Sequence, residues 1–234
     1  MTQLKKIADG VYGVETSFRL PGGMRLPLRM TVLCCGDAVA LLAPIPIDDA
    51  LAAELAQLGE VRFLIAPNLL HYAYIADAAQ RYPSARVLGA PGLAAKRPEL
   101  PLQAEISADE LPPQLEGHHV RGADKLSEVV FLHRPSRTLV VTDLVFNIHD
   151  AKGLSKIMLS LMSRALGKVE QSRLCRWLTT DRAVAAQSVA DVLALSFDRV
   201  VMAHGDVIQT NAQAELSAGL WWMRGESRRP ALAS

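Results

Sequence analysis

Glu128-Val129-Val130-Phe131-Leu132-His133-Arg134-Pro135-Ser136-Arg137-Thr138-Leu139-Val140-Val141-Thr142-Asp143 holds two apolar runs around a four-residue turn and ends on a carboxylate. β-branched and aromatic residues dominate both runs, and Arg134-Pro135-Ser136-Arg137 breaks them, so Glu128 to His133 pairs with Thr138 to Thr142 as a hairpin. Alternation puts Glu128, Val130 and Leu132 on one face and Val129, Phe131 and His133 on the other. His133-Arg134 reads most simply as the hairpin tip. Asp143 stands just beyond the second strand.

Two other polar residues occupy the same kind of position. His71 follows the run Val61 to Leu70, and His204 follows Arg199 to Ala203. Two imidazoles and a carboxylate at strand tips are the minimal donor set of catalytic zinc hydrolases and of mononuclear iron oxygenases. Taken singly, each has an ordinary reading: His204 before Gly205-Asp206 as a strand terminator, His71 as a satisfied core histidine, Asp143 as a turn stabiliser. Their joint placement at three strand ends is what favours convergence. A cluster of this kind also persists without metal when its members satisfy one another, because a buried carboxylate without a partner is costly.

Outward from these points the chain alternates strand and helix. Val11 to Thr16, Met30 to Cys35 and Ala38 to Ala43 are β-like, separated by Pro21-Gly22-Gly23 and Gly36-Asp37. Asp48-Asp49 caps a helix over Ala50 to Leu58; Val61 to Ile65 is a buried strand, Tyr74 to Arg81 a helix and Arg86 to Gly89 a strand. Pro91 to Gly117 reads as a surface excursion with one short strand near Leu102 to Ile106, and His118-His119 as polar loop. Ser155 to Leu166 carries Ile157, Met158, Leu161, Met162, Ala165 and Leu166 at helical spacing, within an insertion near 151–180. Asp181 to Leu195 is a helix, Arg199 to Ala203 the final strand, and Ala212 to Arg224 a closing helix. This alternation predicts a layered α/β fold in a single domain over 1–234.

Composition narrows the function. The 234 residues are half apolar, and 25 basic against 24 acidic residues create no overall field for nucleic acid or anionic lipid. No glycine-rich phosphate loop, Gly-x-Ser-x-Gly elbow or Cys-x-x-Cys pair occurs. Neither a secretory signal nor a run of about 18 apolar residues is visible, so the expected location is cytoplasmic, without a transmembrane segment. Cys34, Cys35 and Cys175 are expected to be reduced core or near-core residues.

A β-rich start at Ile7-Ala8-Asp9-Gly10-Val11-Tyr12, a strand leading to His71, the Val-Val-Phe strand, the turn Thr142-Asp143-Leu144-Val145-Phe146 and the Ala203-His204-Gly205 strand end together resemble the metallo-β-lactamase superfamily. The resemblance spans nearly the whole chain and implies a four-layered αββα sandwich. Within the superfamily, Phe131 to Leu139 looks most like a bacterial and cyanobacterial branch without an assigned activity.

The metal motif departs from the pattern. Active relatives carry Thr-His-x-His-x-Asp-His after the strand matching Val61 to Ile65; with the last His on His71, Ala66, Asn68 and Leu70 take the other three ligand positions. The third-strand histidine falls on or near Asp124, the bridging aspartate on Asp143, the last histidine on His204, and a supporting aspartate on Ala43 in Leu42-Ala43-Pro44-Ile45. The resemblance therefore implies a reduced, at most mononuclear site. Its metal ligands are His71, Asp143 and His204, with Asp124 in addition, and its catalytic residues are Asp143 and Glu128, the latter as extra ligand or general base. The simpler reading of Glu128 is an exposed strand-start carboxylate or a partner of Arg121.

The implied cofactor is one zinc, or iron or manganese, and the implied reaction is hydrolysis of an ester, thioester or lactone. The rival is a catalytically silent member of the fold that binds a small ligand or a protein partner, and a third option is iron-dependent oxidation. The Met158 and Met162 stripe suggests core packing, a homodimer contact through the helix near 155–168, or a shallow membrane contact.

Overall fold

The computed structural model describes residues 3–19, 25–149 and 166–226. The amphipathic helix expected over Ser155 to Leu166 lies outside these residues except at Leu166, which forms an isolated bridge with Ile148.

Seven strands form one sheet in chain order: β1 (Leu4–Ala8), β2 (Val11–Arg19), β3 (Arg25–Cys35), β4 (Ala38–Leu42), β5 (Glu60–Ala66), β6 (Arg86–Gly89) and β7 (Ala104–Glu105). β1 to β4 are antiparallel, and β4 to β7 run parallel. The second sheet has the order β11-β10-β9-β8, from β8 (Leu115–His119), β9 (Val129–His133), β10 (Thr138–Val140) and β11 (Arg199–Val201). The expected hairpin is β9 and β10, with His133 opposite Thr138.

The helices are α1 (Asp49–Ala56), α2 (Ile75–Arg81), α3 (Leu93–Lys96), α4 (Arg173–Leu178), α5 (Arg182–Leu193) and α6 (Ala212–Gly219). α1 starts at Asp48, whose carboxylate accepts the Leu51 N–H at 2.8 Å and so satisfies one of the donors that a helix start leaves free. α6 is shorter than the helix expected through Arg224.

Strand alternation explains the layers. Leu41 and Leu64 pack outward with Leu51, Leu55 and Ile75 of α1 and α2. Their chain neighbours Leu42 and Ile65 point inward, where they meet Val129, Phe131, Val140 and Val201 of the second sheet. Val130, Leu132, Leu139 and Val200 turn outward again, against Val189 and Val192 of α5 and Leu216 of α6. The result is helix, sheet, sheet, helix. Strands buried on both faces read as continuous apolar runs, which is how β4 and residues Val129 to Leu132 of β9 appear in the sequence, whereas β5 becomes so only from Phe63, after the exposed Arg62.

Two local readings change. His118 and His119 are not in a loop but form the end of β8, an edge strand paired to Val130 and Val129. Its sequence, Leu-Glu-Gly-His-His, has little strand character, and only pairing to apolar β9 makes it β. His133 is no exposed tip: it is buried between the sheets, and its Nε2 donates to the Cys34 carbonyl at 2.9 Å.

Candidate metal centre

β5 ends at Ala66, and Asn68 then curls the chain. The Asn68 Oδ1 accepts the N–H groups of Leu70 (2.8 Å) and His71 (2.7 Å), a turn that brings the His71 ring back over the strand ends. Because two N–H donors define which end of the amide is oxygen, the Asn68 NH2 must face the other way. It donates to the Thr142 Oγ1 at 2.9 Å and to the Asp143 Oδ2 at 2.8 Å. All four hydrogen-bonding positions of this buried amide are used.

Asp143 is held from behind by Glu128. The Glu128 carboxylate accepts the Thr142 N–H at 2.7 Å and the Asp143 N–H at 2.8 Å, one on each oxygen. Glu128 is only 1% exposed, which corrects its reading as a surface carboxylate or a partner of Arg121. Ser127, in the left-handed region at φ 47, turns the chain immediately before it, a conformation that a sequence run cannot display. Burial foremost, and then the neighbouring Asp143 charge, push the Glu128 pKa up to about 7 against the pull of the two backbone donors.

His204 follows β11 and is positioned from the other sheet. Arg29 of β3 donates its backbone N–H to the Ala203 carbonyl at 2.8 Å and its guanidinium to the Met202 carbonyl at 2.6 Å, while the same guanidinium pairs with Glu15 at 2.7 Å. The His204 Nδ1 lies 2.6 Å from the Pro27 carbonyl. A carbonyl only accepts, so Nδ1 carries the proton, and in the neutral ring Nε2 presents its lone pair to the site. Gly205 closes the turn at φ +107, where an added Cβ would lie 2.0 Å from the Asn147 carbonyl oxygen. That oxygen accepts the Asp206 N–H at 2.7 Å, so the close approach belongs to the fold and requires glycine.

These supports bring three donors together. His71 Nε2 and His204 Nε2 are 3.2 Å apart; His71 Nε2 lies 3.2 Å from Asp143 Oδ2, and His204 Nε2 lies 3.2 Å from Asp143 Oδ1. Among the described residues, this is the group of His, Cys, Asp or Glu side chains that could hold an ion. Zinc with bonds of about 2.0–2.1 Å to tetrahedral donors sets those donors about 3.3 Å apart, so the triangle fits such an ion. Burial acts to lower the His71 pKa, but the Asp143 charge and hydrogen bond outweigh it and raise it. Burial likewise acts to raise Asp143, and the two histidines overcome it, holding the carboxylate well below its usual range.

The remaining positions separate from the triangle. Asp124 is exposed and is not among the grouped donors. Ala66 offers no donor, Leu70 is exposed, and Asn68 braces Asp143 and His71 instead of standing as a free oxygen ligand. Ala43, where the resemblance sets a supporting aspartate, is buried with φ 52. Pro27 and Arg29 escape a reading of motifs because their contribution comes through backbone and inter-sheet contacts. Asn68 carried a signal, since an Asn two or three residues ahead of Leu70 and His71 is positioned to make this turn.

No family model matches the chain. No curated protein matches it either. Solved structures do: a metallo-β-lactamase from Pontibacter korlensis at 15% identity and TM-score 0.65, over 97% of this chain and 100% of that one. The metallo-β-lactamase FIM-1 from Pseudomonas aeruginosa, in a mono-zinc form, aligns at 14% identity and TM-score 0.61 over 98% of this chain and 97% of that one. A metallo-β-lactamase from Erythrobacter litoralis with β-mercaptoethanol in its active site gives 17% identity and TM-score 0.64 over 92% and 94%. Two stacked sheets with helices on both outer faces agree with this likeness, and the chain has the fold of these metallo-β-lactamases.

Proposed function

We propose that the chain is a hydrolase with a mononuclear metal site, acting on a carbonyl compound such as an ester, thioester or lactone. The observation that carries the reading is the triangle of donors 3.2 Å apart, each corner braced by a separate contact. His71 Nε2, His204 Nε2 and an Asp143 oxygen would hold the ion. When bound, a divalent ion supplies Lewis acidity that polarises a carbonyl and acidifies water.

The protein's own groups prepare that chemistry. Pro27 keeps the His204 proton on Nδ1 and leaves Nε2 free to ligate. Asn68 orients the Asp143 carboxylate from the side, and Glu128 fixes the backbone that carries it. Such outer contacts set ligand orientation and basicity. On this reading Glu128 is a positioning residue: both of its oxygens already receive backbone donors.

Protein purified without chelators should contain about one zinc, iron or manganese per chain by elemental analysis, and His204→Ala should abolish it. Metal-loaded protein should hydrolyse members of a panel of aryl esters, thioesters and lactones. Absence of metal after purification and reloading, or unchanged metal content in His204→Ala, overturns the proposal.

A further inference from the structure

Four of the five large apolar side chains exposed among the described residues surround one loop. Leu174 (48% exposed) and Trp177 (72%) lie one turn apart on α4, Val184 (38%) is in the first turn of α5, and Leu70 (39%) immediately precedes His71. The loop 121–126 ties them together. The Gly122 carbonyl accepts the N–H groups of Thr180 (2.9 Å) and Asp181 (3.0 Å), and the Leu126 carbonyl accepts that of Leu69 (2.9 Å). Lys125 reaches over the Trp177 ring, its Nζ 5.7 Å from the ring centroid.

The charge around this patch is of one predominant sign. Lys96 is exposed and anchored to the Leu69 carbonyl at 2.7 Å, and Arg121, Lys125 and Arg173 are exposed beside the apolar groups. The acids are Asp124 and Asp181, and the Asp181 carboxylate is already engaged by the N–H groups of Ala183 and Val184, both at 3.0 Å. With Arg182 tied to the Trp222 carbonyl and Glu99 paired with Arg97 beyond Lys96, these four exposed cations outnumber the two exposed acids Asp124 and Asp181, in a chain whose formal net charge is only +1. An even overall balance conceals this local basic field.

We propose that this face docks on an anionic lipid surface, with Trp177, Leu174, Val184 and Leu70 entering the headgroup boundary and the four cations facing lipid phosphates. Tryptophan suits such a boundary because its ring is apolar and its N–H still finds water or headgroup oxygen. Lysine and arginine beside it add electrostatic attraction that salt screens. A second copy of the chain is a poorer occupant, because a two-fold contact through this patch would set the same cations against themselves. The docked face includes the residue next to His71, so it borders the metal centre, but the inference does not depend on hydrolysis.

Co-sedimentation of the intact protein with vesicles tests it. Binding should be clear with phosphatidylcholine containing about one-quarter phosphatidylglycerol, weak with phosphatidylcholine alone, and reduced by salt. Lys125→Ala should weaken partitioning about fivefold, and Trp177→Ser at least as much, with unchanged thermal melting. Arg62→Ala, an exposed cation of β5 paired with Glu60, should leave binding unaltered. The blue shift in tryptophan emission on adding anionic vesicles should be missing from Trp177→Phe, a substitution that retains an aromatic ring. Absence of binding that depends on phosphatidylglycerol, or an equal loss with Arg62→Ala, overturns the proposal. So does a dimer in light scattering without lipid that Trp177→Ser dissociates, which would assign the face to a second copy.

Discussion

The Pro27 carbonyl accepts the His204 Nδ1 proton at 2.6 Å across 177 positions of sequence. One backbone oxygen on a strand of the first sheet thereby selects the tautomer of an imidazole carried by the second. The chemistry of the centre depends on how the two sheets are stacked as well as on which residues stand at their ends.

Asn68 tests the bracing of the triangle. Asn68→Ala removes two acceptor bonds from the His71 turn and the donor to Asp143. Metal affinity, measured by competition with a chromophoric chelator, should fall about 10–100-fold, as expected for loss of an outer-shell partner. Asn68→Asp sets a second carboxylate against Asp143 and should raise affinity for a metal only if that carboxylate turns to ligate. An Asn68→Ala protein with wild-type affinity would show that His71 and Asp143 hold their positions unaided.

Gly205→Ala addresses the strand end. Its methyl group would collide with the Asn147 carbonyl, which stays in place because it accepts the Asp206 N–H. A positive φ of this size adds backbone strain of about 1–3 kcal/mol for a residue with a side chain. Urea denaturation should show a loss of at least about 2 kcal/mol, accompanied by loss of bound metal as His204 shifts. Wild-type stability would mean that the 147–206 contact yields readily.

His133 predicts a pH dependence. Burial lowers its pKa, with the Cys34 carbonyl bond acting the other way. The unfolded chain accepts a proton near pH 6.5, which the folded ring resists, so the contribution to stability is present above about pH 6.5 and is lost as the pH falls below it. His133→Gln removes this titration. The difference in urea midpoint between pH 7.5 and 5.5 should therefore be smaller in the variant than in the wild type. An equal difference in both proteins would assign the acid sensitivity to other groups.

Much of the architecture was legible because periodicity is local. The strands β5, β6 and β9, the capped start of α1 and the β9–β10 hairpin follow from runs, breaks and side-chain alternation within a few residues. β8 was not legible, because Leu115 to His119 becomes a strand only against its partner. The exposure of Trp177 was equally hidden, since an apolar residue in a helical pattern looks the same whether it faces a core or solvent.

For the candidate centre, sequence alone marked three side chains able to donate and their places: His71, Asp143 and His204 each stand beyond an apolar run, and donor chemistry belongs to residue type. Tertiary structure decided that their nitrogen and oxygen atoms meet at 3.2 Å, which histidine nitrogen faces inward, and that Glu128 is a buried brace while Asp124 remains at the surface. The reason is physical: side-chain type and local periodicity are written residue by residue. Convergence, burial and tautomer depend on contacts such as Arg29 to Met202, 173 positions apart, which exist only once the sheets have packed.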